Sequence, residues 1–486
     1  MPTRISLFAG PLAAILVLLL GNLDPAHPEV TRMAAITLWI AIWWLTEATD
    51  MAITSLLPFF LLPILGICDT KTVAAQYMDQ VIFLFIGGFL LAFAIERWQL
   101  HERLSLRILS ILGGSPSRIL AGVMLVTFFI SMWISNTATV MMLLSAVTSL
   151  IVQLDKRVPQ ASGSVAVALL LGLAYAASIG GMATPVGTPT NMIFVSYFAK
   201  TYPTAQGLDF MRWFIIGFPI ALLLLTFTFA LLRWQHLRQH AGIELDTTSF
   251  AEQYRQLGKW TREEKIIATI FSLTALLWFF RADIVLGNFQ WRGWSNLLPR
   301  PDYIQDSTVA VCMAFLLFFI PSRQQAGRNL LEWEDAKRLP FGIILLFGSG
   351  FALAKGFEVS GLGSWLANQL GFLQGAPLWL IIPAIGLLVA VLSEFASNVA
   401  SIQLALPILA AMATSMQIDP MLLMLPATFA ASLGFMLPVA TAPNTIVFGT
   451  QRLHTSDMIR AGCWIDAAGV FIISVCALGL LRWVGY

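Results

Sequence analysis

Charge is the scarcest thing in this chain. Asp, Glu, Lys and Arg make up 11% of its residues with a balance of only +2, where soluble proteins carry about 25%. So thin a charge offers nothing to a nucleic acid, which needs a basic patch with interleaved aromatics that does not occur here. Cysteine is scarce as well. Cys68, Cys312, Cys463 and Cys476 stand apart without CxxC spacing, which removes a disulfide framework and a metal knuckle. No nucleophile with a His base near it in sequence, no HExxH and no phosphate loop is present, so the chain reads as a non-enzyme without a cofactor. A small-x-small cleavage site is also missing after the first apolar run. The chain continues Asn22-Leu-Asp-Pro-Ala-His-Pro, and that run reads as a retained first helix.

What is abundant is apolar surface, at 58% of residues, which makes this an all-α polytopic membrane protein. Uninterrupted spans fall near 5–21, 31–48, 51–67, 79–97, 209–232, 266–281, 304–322, 340–357 and 461–485. Two more segments, 165–199 and 421–450, are apolar but broken, the first by Pro185, Gly187 and Pro189, and read as helices interrupted at membrane depth. That gives about 11 transmembrane helices. Two split apolar blocks remain, 114–154 and 376–416. Residues 119–154 carry no charge, yet a Ser-Asn-Thr sits at their middle. The block is too long for one span and barely enough for two, so a re-entrant hairpin and two thin spans both stay open. Polar residues 233–265 form the candidate linker between halves. The expected organisation is a first helix over 1–30, one repeat over 31–232, the linker, and a second repeat over 266–486.

The halves are copies. Phe85-Ile-Gly-Gly88-Phe89 recurs as Phe347-Gly-Ser-Gly350-Phe351, and Ser135 as Ser397, both offset by 262 residues; Asn191 and Asn444 align at an offset of 253. With re-entrant hairpins each repeat holds five spans, an odd number that inverts the second copy, as in secondary transporters. A cytoplasmic N-terminus then puts 19 of the 28 Lys and Arg in inner loops, in accord with the positive-inside rule.

The polar residues in the apolar blocks repeat too. Ser131 and Ser135, four apart, would share a helix face and present two hydroxyls beside the Asn136 amide oxygen, a hard donor set suited to sodium. Ser393, Ser397 and Asn398 repeat the arrangement. Opposite each tip, a proline-broken helix exposes carbonyls, with Gly187 and Ala440 at corresponding positions. The helices starting at the tips offer amide protons and a positive dipole end to an anion. No Lys or Arg lies within either tip or broken segment. A bound dianion would then be held by dipoles, amides and neighbouring sodium, which ties its affinity to sodium occupancy.

At these residues the chain resembles the divalent anion/sodium symporter family, the INDY-like carriers of dicarboxylates, citrate and sulfate. Ser135-Asn136-Thr137 meets its paired signature and Ser397-Asn398-Val399 meets it approximately; residues 437–449 resemble its C-terminal broken-helix motif and Trp44-Leu-Thr-Glu47 its early-helix motif. The resemblance implies an eleven-helix inverted repeat with two re-entrant hairpins, a homodimer in the inner (plasma) membrane, and elevator motion. It implies sodium sites of Ser131, Ser135, Asn136 and the Gly187 carbonyl, then Ser393, Ala396, Asn398 and the Ala440 carbonyl. Substrate contacts would be Asn136, Thr137, Thr188, Ser397, Asn398, Thr441 and Ala442. Two departures bear on substrate choice: Val399 stands where Thr is expected, and Ala442 where proline is common. The expected activity is sodium-coupled symport of a small dianion such as succinate; anion exchange, or citrate or sulfate as cargo, are the alternatives.

Two secondary features have two readings each. His236 and His240 could share a metal or belong to a solvated amphipathic helix. Glu394, costly in lipid, should face protein or water, either carrying a proton or hydrogen-bonding the hairpin backbone.

Overall fold

A chain in lipid must pair its own backbone amides, and helix is the way a single segment does so. In the computed structural model, which describes residues 4–112, 114–157, 159–205, 208–240, 248–286 and 289–484, the protein is nearly all helical. The exception is a two-stranded antiparallel pair, Ile284–Leu286 with Phe289–Trp291. Among the described residues eight helices are long and apolar enough to cross a membrane, and five shorter apolar helices accompany them. Side chains on these helices face outward bare, among them Ile5, Leu19 and Leu20 on the first helix, Leu388 and Phe471, as lipid-facing surfaces require. This is a multi-pass membrane protein.

Two expected spans are shorter than their apolar runs. Residues 51–67 form two pieces, Met51–Thr54 and Leu57–Ile64, because Pro58 has no amide to continue the ladder from the first piece. The run 304–322 yields only Asp306–Leu317, 12 residues, or about 18 Å at 1.5 Å per residue. Its tail turns back instead, with the Leu330 amide donating to the Ile320 carbonyl.

Between Met182 and Pro189, and between Ala430 and Ala442, the chain leaves helical geometry. The split block 114–154 folds as two arms, Pro116–Ser131 and Asn136–Arg157; the block 376–416 folds as Leu378–Phe395 and Asn398–Met416. One large hydrophobic cluster includes residues of both hairpins and both broken helices. A second, around Met33, Trp44, Leu62 and Phe357, joins Pro28–Leu45, Leu57–Ile64 and Phe341–Ser360.

The linker is docked to the protein where it is described; residues 241–247 of it lie outside the described residues. Arg103, on the amphipathic helix Leu100–Leu112, bonds Glu264 at 2.8 Å and the Gly258 and Leu257 carbonyls at 2.9 and 3.0 Å. Its guanidinium also lies over Tyr254 and Trp260.

Candidate functional site

Ser131 ends one arm of the first hairpin and Asn136 begins the next. The Ser131 hydroxyl lies 2.8 Å from Asn136 Oδ1 and 2.7 Å from the Ala177 carbonyl oxygen. A hydroxyl has one proton and two lone pairs. When the proton goes to Ala177, the lone pairs and Asn136 Oδ1 are left facing each other, an arrangement that a cation would relieve.

The third donor comes from the broken helix. A Cβ at Gly181 would stand 2.5 Å from Asn136 Oδ1 and 3.1 Å from the Gly187 carbonyl oxygen, so the absence of a side chain at 181 is what lets these oxygens approach. Asn191, fully buried, donates through Nδ2 to the Gly181 carbonyl at 2.9 Å and the Thr184 carbonyl at 2.7 Å. It staples the two sides of the break together. Thr184 donates its hydroxyl to the Met132 carbonyl, tying the break to the tip.

The second copy repeats the serine and asparagine bonds partner for partner. Ser393 Oγ lies 2.7 Å from Asn398 Oδ1 and 2.6 Å from the Ala431 carbonyl. Asn444 Nδ2 donates to the Gly434 and Leu437 carbonyls at 2.9 and 3.0 Å. Matching partners gives offsets of 262 residues at the hairpins, 254 at Ala177 and Ala431, and 253 from Gly181 and Gly434 onward. The second copy has thus lost one residue just before its break.

The copies differ in tightness and in how the break is held. A Cβ at Gly434 would meet Asn398 Oδ1 at 3.5 Å and the Ala440 Cβ at 3.3 Å, a looser fit than at Gly181. Glu394, 1% exposed, takes the role that Thr184 plays in the first copy. Its carboxyl accepts from the Met436 amide at 2.7 Å and the Leu437 amide at 2.9 Å. Of the two readings of Glu394, the structural one named the hairpin's own backbone as partner; the bonds run instead across to the broken segment, whose amides are freed by leaving helical geometry.

One expectation fails at the level of local structure. Ser131 and Ser135 do not share a helix face, because the helix stops at Ser131 and the chain turns. Ser135 Oγ instead accepts from the Ala138 amide at 3.3 Å, capping the next arm, a role Ser fills well because its oxygen reaches a free amide of the first turn. Ser397 is the N-cap residue of Asn398–Met416 but makes no side-chain capping bond there. Ala396 is extended, at φ −132° and ψ 164°, which turns its carbonyl out of the helical ladder.

The residues implied as substrate contacts lie at four helix starts. Thr137 and Ser397 are half-buried beside their asparagines. Thr188, buried, precedes Pro189–Thr201, and Thr441 precedes Ala442–Phe448, its hydroxyl accepting from the Asn444 amide at 3.3 Å. Ala442 is exposed. Val399 packs against both hydrophobic clusters.

The two repeats are interlocked. The arm Asn136–Arg157 packs on Ala442–Phe448, and Asn398–Met416 on Pro189–Thr201. Thr190 Oγ1 and Ser432 Oγ stand 3.2 Å apart, and Tyr175 donates to the Phe435 carbonyl at 2.8 Å. The staples Asn191 and Asn444 were not among the site residues expected from sequence. Their signal was there, an Asn at the aligned position of both broken segments, Asn191 following Pro189 by two residues and Asn444 following Pro443 directly. Among the described residues no cluster of His, Cys, Asp and Glu could hold a metal ion; the side chain of His240 is outside them.

Comparison with known proteins agrees with this architecture. Residues 5–485 match the family described as the sodium:sulfate symporter transmembrane region. The sodium-dependent dicarboxylate transporter SdcS of Staphylococcus saprophyticus is 38% identical over 480 residues, 96% of this chain and 89% of that protein. SdcS of Staphylococcus aureus strain NCTC 8325 is 38% identical over 476 residues, with the same coverage. Two solved structures share the fold at low identity. MtrF of Neisseria gonorrhoeae has TM-score 0.56 at 14% identity, covering 84% of this chain and 82% of that one. The YdaH transporter of Alcanivorax borkumensis has TM-score 0.53 at 15% identity, covering 85% and 88%. The matched region takes in both hairpins, both broken helices and both Ser–Asn pairs, and the chain belongs to the sodium:sulfate symporter family.

Proposed function

We propose that the protein is a secondary active transporter that carries a small dianion, a C4-dicarboxylate such as succinate, together with sodium. The observation that carries the reading is the doubled oxygen set. Ser131 with Asn136, and Ser393 with Asn398, each bring a hydroxyl and an amide oxygen within 2.8 Å and 2.7 Å of one another, facing a broken helix. Names of relatives 38% identical, sodium-dependent dicarboxylate transporters, point the same way.

The chemistry follows from what each group can do. Ser131, Asn136 and the Gly187 carbonyl form one sodium site with Ser135 beside them; Ser393, Asn398 and the Ala396 and Ala440 carbonyls form the other. The dianion sits between, on Asn136, Thr137, Thr188, Ser397, Asn398, Thr441 and Ala442, against the amide-rich starts of the arms. No Lys or Arg lies in either tip, so the two cations supply the charge that holds the anion. Each ligand then raises the affinity of the other by the same factor. Asn136 and Asn398 serve both and are the coupling residues.

The same reading has the hairpins re-entrant, the N-terminus cytoplasmic in the inner membrane, the chain a homodimer, and the hairpins moving with the broken helices as one body in an elevator step. The second hydrophobic cluster is centred on Pro28–Leu45, Leu57–Ile64 and Phe341–Ser360 and meets the second hairpin at Ala400, the place where such a body would slide against its scaffold. Uptake of labelled succinate into proteoliposomes tests the function. An inward sodium gradient should drive accumulation. Uptake that ignores sodium but rises with internal dicarboxylate would instead make the protein an exchanger.

A further inference from the structure

At the end of Phe210–Leu232 the helix widens into a π-helical turn, Arg233–Leu237. Such turns are rare and occur often at functional sites. Ser164 donates its hydroxyl to the His236 carbonyl at 2.7 Å and fixes the turn against the helix Pro159–Met182. Beside it lies a cavity of about 260 Å³ whose lining includes Trp234, Gln235, His236, Arg238 and Arg460, and, among the described residues, no carboxylate. This cavity is remote in sequence from both Ser–Asn pairs and plays no part in the transport reading.

Its polar groups are idle. Arg238 and Arg460 are both exposed, and among the described residues neither has an ion-pair partner. His236 Nε2 and Gln235 Oε1 are shielded from solvent and make no hydrogen bond. Asp457, one turn before Arg460, is engaged as a cap, accepting from the His454 amide at 3.0 Å. Two guanidiniums without an ion-pair partner among the described residues, beside an orphaned imidazole nitrogen and with Asp457 the nearby carboxylate, form a cup for a doubly hydrogen-bonding oxyanion, and Arg matches phosphate geometry through paired N–H groups. Trp234, 61% exposed at the end of an apolar helix, is the type of ring that sits at head-group depth.

We infer that this cavity binds a phosphate group, and that its source is the head of an anionic glycerophospholipid. The phosphate lies between Arg238 and Arg460 with His236 Nε2 donating, and the Gln235 amide oxygen accepts from a glycerol hydroxyl of the head group. The three elements that meet there, Pro159–Met182, the π-turn and Thr455–Val484, thereby gain an anchor at the membrane surface.

The full-length protein in detergent, wild type and Arg238→Gln/Arg460→Gln, is titrated separately with phosphatidylglycerol, phosphatidylcholine and inorganic phosphate, reading bound lipid by native mass spectrometry and protection against thermal unfolding. Each basic residue near a head group is worth about fivefold in affinity, so the double variant should bind phosphatidylglycerol about 25-fold more weakly. Phosphatidylcholine should bind both proteins equally. Both arginines are exposed, so matched unfolding midpoints without lipid are expected. If inorganic phosphate alone distinguishes wild type from variant, the phosphate site stands and its lipid source is wrong. If neither phosphatidylglycerol nor phosphate distinguishes them, the inference is overturned.

Discussion

Ser131 Oγ lies 2.8 Å from Asn136 Oδ1, across the turn where one helical arm stops and the next begins. The same pair recurs as Ser393 and Asn398 at 2.7 Å. Each serine also reaches a carbonyl of a broken helix, Ala177 or Ala431, so one hydroxyl joins the tip, the break and the proposed sodium site.

Replacing either asparagine removes an oxygen that serves both ligands in the proposed mechanism. Asn136→Ala and Asn398→Ala should each abolish succinate accumulation while the purified protein keeps its unfolding midpoint within a few degrees. Normal uptake by either variant would remove that half-site from the mechanism.

The glycines beside the two asparagines should respond unequally. A methyl at Gly181 would come within 2.5 Å of Asn136 Oδ1, whereas at Gly434 the nearest atom is 3.2 Å away. Gly181→Ala should therefore raise the sodium concentration for half-maximal uptake by about 10-fold or more, the scale of losses when a ligand is displaced by its support. Gly434→Ala should change it much less. Equal effects in a sodium titration would show that the two sites are not packed as described.

Glu394 holds the second break through two amide bonds. Glu394→Gln keeps the shape but can accept only one of them, leaving a buried amide unpaired at a cost of about 1–3 kcal/mol. Lowered thermal stability together with weakened sodium dependence is expected. A variant with unchanged stability would mean that these bonds contribute nothing to the fold.

Asn191→Ala strands two buried carbonyls and Asn444→Ala one buried and one half-buried, with a cost of about 1–3 kcal/mol per orphaned buried group. Both variants should unfold at lower temperature, and chemical denaturation compared with Asn→Asp at the same positions would separate loss of the donor from loss of volume.

Val399→Thr returns a hydroxyl next to Asn398. Transport should persist with a changed order of preference among succinate, citrate and sulfate, read by competition against labelled succinate. An unaltered order would mean that position 399 faces only the two hydrophobic clusters it packs against.

Much was legible in the sequence because its signals are local or periodic. Apolar runs long enough for lipid declare helices, Pro185, Pro189 and Pro443 mark the two broken segments, and the recurrence of Ser-Asn at an offset of 262 and of Asn191 as Asn444 at 253 shows itself without a structure. Spacing could not show that the helix ends at Ser131, and so it placed Ser135 on a face that does not exist. Tertiary structure alone decided which carbonyl each serine meets, that Glu394 reaches Met436 and Leu437 rather than its own hairpin, and that each hairpin packs on the other repeat's broken helix. Those contacts join residues far apart in the chain, and they are set by how freed amides and carbonyls find partners where no water can supply them.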